Sequence, residues 1–290
     1  MIETFKRTKK GLSNLHLFYN VDYIVYLEGG SKSFSKDEVY LDNFNDDTED
    51  IVYWKNIFKK YKKNELLKFK SVGSKKTLKD ISEDILAGKI KNVYMAMDNE
   101  FDEVYKKRIT HSNIFYTHGY SYENDVWNEN VIIDILKDLT ASEIDEKIIN
   151  EGFSKFLKDI KIGVVSDAYQ FKKDQSFFPR KKGHLFCVEC NTDNFPKVKT
   201  TAIEKLMEEK SLIEKTVKSF GYRYKIETLK FCFGHLLADY CCQIINYYLK
   251  HKHKLSNIRK EIIYRMGIKK FFDNHYLNSE IEEYFIQQFI

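Results

Sequence analysis

Residues 21 to 140 alternate between short runs rich in β-branched and aromatic residues and longer segments in which apolar residues recur at helical spacing. Strands that are separated by single helices imply parallel pairing through right-handed crossovers. We therefore predict an α/β fold in which a parallel sheet is flanked by helices on both faces. The predicted strands are 21–27, 66–72, 92–98 and 113–117, and the predicted helices are 50–61, 74–87 and 124–139.

The second half of the chain has mostly helical spacing. Helices are predicted at 141–172, 200–219, 231–251, 255–266 and 278–289, with an irregular stretch at 174–199. We predict two domains, an α/β domain at 1–145 and a mostly helical domain at 146–290. Segment 31–50 holds seven acids and two lysines and interrupts the first strand-to-helix connection. Because structureless connections of this length are uncommon, we predict that it is a flexible or functional insertion.

The composition of the chain excludes several classes of protein. With 43% hydrophobic residues the chain has enough apolar material for a core, which excludes intrinsic disorder. The net charge of +5 is too small to indicate nucleic-acid binding by itself. No secretory signal core and no run of about 18 apolar residues is seen, so we expect a cytoplasmic protein without a membrane segment. Five cysteines, an odd number, argue against a disulfide framework.

Acidic residues follow three of the predicted strands. Glu28 follows the first, Asp98, Glu100 and Asp102 follow the third, and Glu123 comes after the fourth. The carboxyl ends of parallel strands share one edge of the sheet, so these side chains are expected to converge there. Converging carboxylates repel unless a cation lies among them, and oxygen ligands suit Mg²⁺ or Mn²⁺. Taken alone, one such acid is more often a cap or loop residue. Together they predict metal-dependent phosphoryl transfer.

The spacing of these acids resembles the Toprim fold, and more closely the Toprim domain of overcoming-lysogenization-defect (OLD) nucleases. That family has the patterns Glu-Gly-x-x-Asp, Asp-x-Asp and Ser-x-Glu, and a Gly-Gly-Lys turn before its second helix. The matching segments here are Glu28-Gly29 with Asp50 after the insertion, Asp98-Asn99-Glu100, Ser121-Tyr122-Glu123, and Ser74-Lys75-Lys76 after Val72-Gly73. In this chain Glu100 replaces the second Asp, and the insertion separates Glu28 from Asp50.

The stand-alone layout, with a helical C-terminal region, is similar to the nuclease subunits of the PARIS anti-phage systems. The resemblance implies a homodimeric effector that an ABC-type ATPase partner holds and releases, and that cleaves host tRNA. The chain has no Gly-x-x-x-x-Gly-Lys-Ser/Thr motif, in keeping with an external ATPase.

The resemblance also implies residue roles. Glu28 and Asp98 would hold a first metal ion, with Glu28 alternatively acting as the general base. The implied catalytic residues are Glu28, Asp98, Glu100, Glu123 and Lys75. The implied Mg²⁺ or Mn²⁺ ligands are Glu28, Asp50, Asp98, Glu100, Asp102 and Glu123. We also predict substrate-binding residues, some from the resemblance and some from their basic or aromatic surroundings: Lys75, Lys76, Ser121, Arg180, Lys181 and His235.

Two basic stretches have alternative interpretations. Residues 51–80 hold ten lysines, which either bind phosphates or form a solvated helix face; Lys75 and Lys76, at a turn before a helix, are the best phosphate contacts. Phe177 and Phe178, followed by Arg180 and Lys181, either stack on unpaired bases or anchor a loop.

Histidines and cysteines offer weaker signals. His184, Cys187 and Cys190 have a metal-like spacing, but the apolar run around the cysteines favours buried free thiols. His235 either approaches the active site or is a core histidine. The predicted helix 231–251 is apolar on most sides, so it is either central in its domain or a dimer interface.

Two other functions remain open from sequence. One is a catalytically inactive Toprim scaffold that binds nucleic acid or regulates the ATPase. The other is a DNA nuclease or nickase like the full-length OLD enzymes.

Overall fold

The computed structural model describes residues 15–190 and 194–290, and the chain forms two compact units. The first unit consists of residues up to Asp98, with Ile109–Thr117 and Glu282–Ile290. The second consists of Asn99–Arg108 and His118–Ile281. The predicted domain ranges, 1–145 and 146–290, stay a prediction.

A four-stranded parallel sheet forms the centre of the first unit. Its strands are β1 (Tyr23–Leu27), β2 (Leu67–Ser71), β3 (Val93–Met97) and β4 (Ile114–Tyr116), in the order β2-β1-β3-β4. Every neighbouring pair is parallel, and Val25 of β1 pairs with Phe69 on one side and Tyr94 on the other. The predicted parallel α/β sheet is therefore confirmed, with strand ends within two residues of the predicted ones.

The helices of the first unit are α1 (Leu15–Phe18), α2 (Lys36–Tyr40), α3 (Glu49–Tyr61) and α4 (Lys75–Leu86). The helix α13 (Glu280–Phe289) joins them from residue 282 onward. Thr48 caps α3 by accepting a hydrogen bond from the Ile51 N–H at 3.3 Å. Ser74 caps α4 in the same way, and Gly88, with φ +64°, follows its last turn.

Side chains of the sheet alternate between two buried faces. On one face, Ile24, Tyr26 and Met95 pack in a core that includes Leu78 and Ile81 of α4. The other face is aromatic and is covered by α3 and α13. There the ring of Phe58 lies between those of Phe69, Tyr94, Phe115 and Phe289, with centroid distances of 5.8, 5.5, 5.3 and 5.3 Å.

The acidic segment 31–50 has structure of its own. Ser35 and Glu38 form a capping box at the start of α2, and Phe34 and Val39 are buried in the core of the first face. Asn45 forms an antiparallel bridge with Ser71 at the end of β2. The segment is thus an ordered part of the first unit, which differs from the flexible alternative.

The second unit is mostly helical, as predicted. Its elements are α5 (Tyr122–Val126), α6 (Glu129–Thr140), α7 (Glu146–Phe171), a 3₁₀-helix (Arg180–Phe186), the antiparallel strands β5 (Val188–Glu189) and β6 (Lys197–Val198), α8 (Thr200–Glu209), α9 (Glu214–Arg223), α10 (Thr228–Phe231), α11 (Gly234–His253), α12 (Lys260–Lys270) and a π-helical turn (Phe271–His275).

Two predicted helices are each divided in the structure. The predicted helix 124–139 is interrupted at Trp127, which is extended, because Asn128 caps a new helix by accepting from the Val131 N–H at 3.0 Å. The predicted helix 200–219 is interrupted near Ser211, whose φ is +52°. Both breaks leave the apolar spacing intact, so periodicity alone does not reveal them.

Helix α11 is buried within the second unit. Its apolar residues, among them Leu236, Leu237 and Ile244, are fully buried, and Tyr240 stacks on Phe156 at a centroid distance of 3.9 Å. Helices α5, α6 and α12 pack against its apolar faces. Of the two predicted alternatives, a central helix or a dimer interface, the central position is therefore the one observed. No helix in residues 15–190 or 194–290 is long and apolar enough to cross a membrane.

The aromatic face of the sheet gives a stability prediction. Phe58→Ala should lower the free energy of unfolding by about 3–5 kcal/mol, because it leaves a cavity among four rings. Lys59→Ala, an exposed neighbour on α3, is the matched control and should change it by less than about 0.5 kcal/mol. Urea unfolding followed by fluorescence would measure both, and equal values for the two variants would contradict the described packing.

Candidate active site

The order of the strands marks one edge of the sheet. From β1 the chain proceeds to β2 on one side, and then returns past β1 to β3 and β4 on the other. In open α/β sheets, ligands bind beyond the carboxyl ends of the strands where the direction of winding reverses. Here that point lies between β1 and β3, and the residues that follow these strands are Glu28 and Asp98.

These two acids are joined by a hydrogen bond in the first unit. The Glu28 Oε2 atom accepts from the Asp98 backbone N–H at 3.3 Å. Lys75, the first residue of α4, donates from Nζ to the Asp98 carbonyl oxygen at 2.6 Å. The predicted catalytic residues Glu28, Asp98 and Lys75 are therefore brought together, with a cation beside two carboxylate-bearing residues.

Asp50 reaches the same place from the start of α3. A methyl group on Gly29 would lie 1.9 Å from the Asp50 Oδ2 atom, so the carboxylate rests directly against the backbone that follows Glu28. A side chain at position 29 would therefore displace the Asp50 carboxylate from this place. Although the insertion separates Glu28 from Asp50 in sequence, the fold restores their proximity.

The other acids belong to the second unit. Glu100 has a left-handed backbone with φ 49°, which is uncommon for this residue type, and its N–H donates to the Tyr120 carbonyl oxygen at 2.6 Å. Asp102 is fully buried. A strained backbone beside acidic residues is typical of functional sites.

Glu123 forms a compact group with Ser121 and the start of α11. The Ser121 hydroxyl donates to the Glu123 Oε2 atom at 2.5 Å, and His235 Nε2 lies 3.7 Å from Oε1. A methyl group on Gly234 would lie 2.0 Å from the Ser121 Oγ atom, so this glycine allows the helix end to approach. Of the two alternatives for His235, the exposed position beside Glu123 is the one observed.

The acidic residues supply few ligands for a metal ion. Within the described ranges, no group of three or more His, Cys, Asp or Glu side chains is placed to hold a metal. Mg²⁺, however, usually keeps several water ligands and is bound through one or two carboxylates together with substrate phosphates. Glu28 and Asp98, on neighbouring strand ends, supply oxygen donors of the kind that such a hydrated ion takes.

The predicted substrate-binding residues Lys76, Lys181 and Arg180 differ in how exposed they are. Lys76 and Lys181 are exposed. Arg180 is partly buried: its guanidinium donates to the Asp167 Oδ2 atom at 2.6 Å and lies 4.2 Å from the ring centre of Phe233. The sequence analysis missed Asp167 as a partner of Arg180. The one clue to it in the sequence is that an acidic residue lies on the apolar side of α7.

Asp167 also explains the neighbouring phenylalanines. It accepts from the backbone N–H groups of Phe177 and Phe178 at 2.6 and 3.3 Å. Both phenylalanine rings are buried. Of the two alternatives for this stretch, the loop anchored by phenylalanines is therefore the one observed.

The lysine-rich stretch is partly occupied by ion pairs within the first unit. Lys70 is fully buried, pairs with Asp42 and lies over the rings of Tyr19 and Phe44. Lys60 pairs with Glu282. Lysines such as these support the fold, while Lys55 and Lys59 are exposed on α3 and Lys63 is exposed just after its end.

The cysteines are free thiols. Cys187, Cys232, Cys241 and Cys242 are buried and Cys190 is partly exposed. Burial raises the pKa of Cys187 to about 12, so this thiol is a poor ligand or nucleophile at neutral pH.

Sequence comparison gives no match between this chain and the models of known protein families, and no curated protein matches it. The resemblance to Toprim nucleases stays a prediction that rests on the motifs and their positions.

His184 gives a prediction for pH dependence. Its hydrogen bond with Asp239, at 2.9 Å, and a second with Cys190 outweigh burial and raise the pKa of His184 to about 9. Asp239 also contacts Lys260 at 2.5 Å and Tyr264 at 3.0 Å. Since the folded pKa exceeds the unfolded value of about 6.5, the stabilising contribution is complete below that pH and is lost as pH rises through about 9.

The stability difference between the wild type and His184→Gln should follow this course. Thermal unfolding measured between about pH 6 and pH 10 is expected to show a difference that shrinks as pH rises. A difference that stays constant over this range would mean that His184 is not held protonated by Asp239.

Proposed function

We propose that this chain is a metal-dependent endonuclease that acts in the cytoplasm as the effector of an anti-phage system and cleaves host RNA, with tRNA as the substrate class. The proposal includes a homodimer and an ABC-type ATPase partner that holds the nuclease inactive until infection. The tRNA, dimer and ATPase parts rest on the resemblance of the motifs, and the nuclease part also has structural support.

The observation that carries the proposal is the pairing of Glu28 and Asp98 at the reversal point of the sheet. The Glu28 carboxylate accepts from the Asp98 backbone N–H at 3.3 Å, at the edge where ligands bind in this class of fold, and both residues are only partly buried. Acidic groups at such an edge attract a divalent cation, and a cation attracts phosphate. Phosphodiester cleavage is the reaction class that this donor set serves best.

Each residue would have a distinct task. Mg²⁺ or Mn²⁺, when bound by Glu28 and Asp98, would lower the pKa of water and stabilise the leaving oxygen. Lys75, fixed by the Asp98 carbonyl oxygen at the start of α4, would hold the substrate phosphate near the acids. Glu28 is the alternative general base. Glu123, oriented by Ser121, is the proposed second acidic group.

The substitutions Glu28→Gln and Asp98→Asn test the nuclease directly. Each should lower the rate of RNA cleavage by at least about a hundredfold, because several kcal/mol of transition-state stabilisation would be lost. Cleavage of tRNA, rRNA and supercoiled plasmid would be measured in parallel with Mg²⁺, Mn²⁺ or chelator. Glu204→Gln and Asp46→Asn replace exposed acids by the same amides and should leave the rate unchanged.

The outcomes separate the alternatives. RNA cleavage that survives at the wild-type rate in folded Glu28→Gln protein would falsify the assigned site. Nicking of plasmid without cleavage of RNA would favour the DNA nuclease. Binding of nucleic acid without metal-dependent cleavage of any substrate would favour the inactive scaffold.

A further inference from the structure

A basic cavity lies in the second unit, between the end of α7 and helix α9. Its volume is about 670 Å³, and no Asp or Glu lines it among the described residues. Four of its lining residues are cations: Lys172, Lys173, Lys215 and Arg223. The motifs that indicate the nuclease include none of these residues.

These four cations have no acidic partner in the part of the chain that the structure describes. In residues 15–190 and 194–290, none of the four forms an ion pair, and all four are exposed. By contrast, Lys147 and Lys155 on the same helix α7 each have an acid one turn away, at 3.8 and 2.7 Å. Uncompensated charges around a concave surface raise the local concentration of anions.

Aromatic rings form the rest of the cavity. Phe220 and Tyr224, on one side of α9, have ring centroids 4.6 Å apart, and Tyr169 meets Phe220 edge to face at 5.4 Å. Tyr224 is 42% exposed, so its ring is available to a ligand. The cavity thus combines a flat apolar wall with cations around it.

A second cavity, of about 950 Å³, lies on the other side of α9, and Arg223 lines both. It adds Lys158, Lys161, Lys218 and Lys225, along with two acids. Tyr222, which is 90% exposed, stands in this second cavity. The α7–α9 surface, defined as these two cavities, is therefore continuous, basic and aromatic.

We propose that the α7–α9 surface binds single-stranded RNA, with phosphates on the cations and unpaired bases on Tyr224 and Tyr222. Cations that track a backbone and rings that accept bases are the two elements of single-strand recognition. A double helix hides its bases from such rings, and an acidic peptide would use the cations but not the rings. The choice of RNA over DNA rests on the proposed function, whereas the surface itself does not.

Binding can be measured separately from cleavage. A fluorescent uridine oligonucleotide of roughly 12 residues would be titrated with the full chain carrying Glu28→Gln, in the presence of chelator, at several salt concentrations. Replacing Lys172, Lys173 and Lys215 together by Ala should weaken binding at least about tenfold. It should also lower the slope of log affinity against log salt by about 2, at about 0.7 for each phosphate contact.

The rings are tested by Tyr224→Ala combined with Tyr222→Ala. Loss of stacking should weaken binding at least about fivefold and leave the salt slope unchanged. The charge-matched control replaces Lys205, Lys250 and Lys252 by Ala, three exposed lysines outside both cavities. That control should bind RNA nearly as tightly as the parent protein.

Three results would overturn the proposal. Equal losses in the two lysine variants would mean that only net charge matters. Full competition by poly-glutamate of the same charge, with the tyrosine variant unaffected, would indicate an acidic polypeptide. Equal affinity for a deoxythymidine oligonucleotide would mean that the surface does not prefer RNA to DNA.

Cross-linking provides a test that does not depend on how the variants fold. Photo-cross-linking of a 4-thiouridine oligonucleotide to the same Glu28→Gln chain should label peptides within 158–173 and 215–225. Labelling confined to other parts of the chain would also overturn the proposal. A chain that binds here and cleaves nothing would contradict only the proposed function, and a nuclease that binds elsewhere would contradict only this inference.

Discussion

The parallel pairing of β1 with strands on both of its sides is the constraint on which the rest of the first unit depends. A parallel sheet must be covered on both faces, and here α4 covers one face while α3 and the end of α13 cover the other. The rings around Phe58 fix the second of these layers. The same pairing aligns the carboxyl ends of β1 and β3, so the residues that follow them meet without any requirement on the loops.

Placing Glu28 beside Asp98 has an electrostatic cost, since like charges in a partly buried place repel. The structure offsets part of that cost with Lys75 and with the Asp98 N–H, which donates to Glu28. Gly29 in the first unit and Gly234 in the second each allow an oxygen-bearing side chain to rest against the backbone.

Much of the fold could be predicted from the sequence, because the apolar residues of 21–98 have the regular spacing of strands and helices. The helix caps are also encoded locally, as at Ser74. Helix breaks that depend on single residues could not be predicted. Asn128 divides one predicted helix and Ser211 lies at the break of another, and neither break disturbs the apolar spacing. The order within segment 31–50 was also missed, since burial of Phe34 and Val39 is a tertiary effect.

For the candidate site, the acids after strands could be named from sequence, but the partners that orient them could not. Asp167 and Gly234 act through distant contacts. The α7–α9 surface arises only when Lys172 on one helix end meets Lys215 on another helix. The proposed function depends most on the binding of a divalent cation by Glu28 and Asp98. Anomalous diffraction from crystals soaked in Mn²⁺ tests this: the predicted result is a peak about 2.2 Å from a carboxylate oxygen of each residue. Ordered Glu28 and Asp98 side chains without such a peak, in protein that cleaves RNA in Mn²⁺, would contradict it.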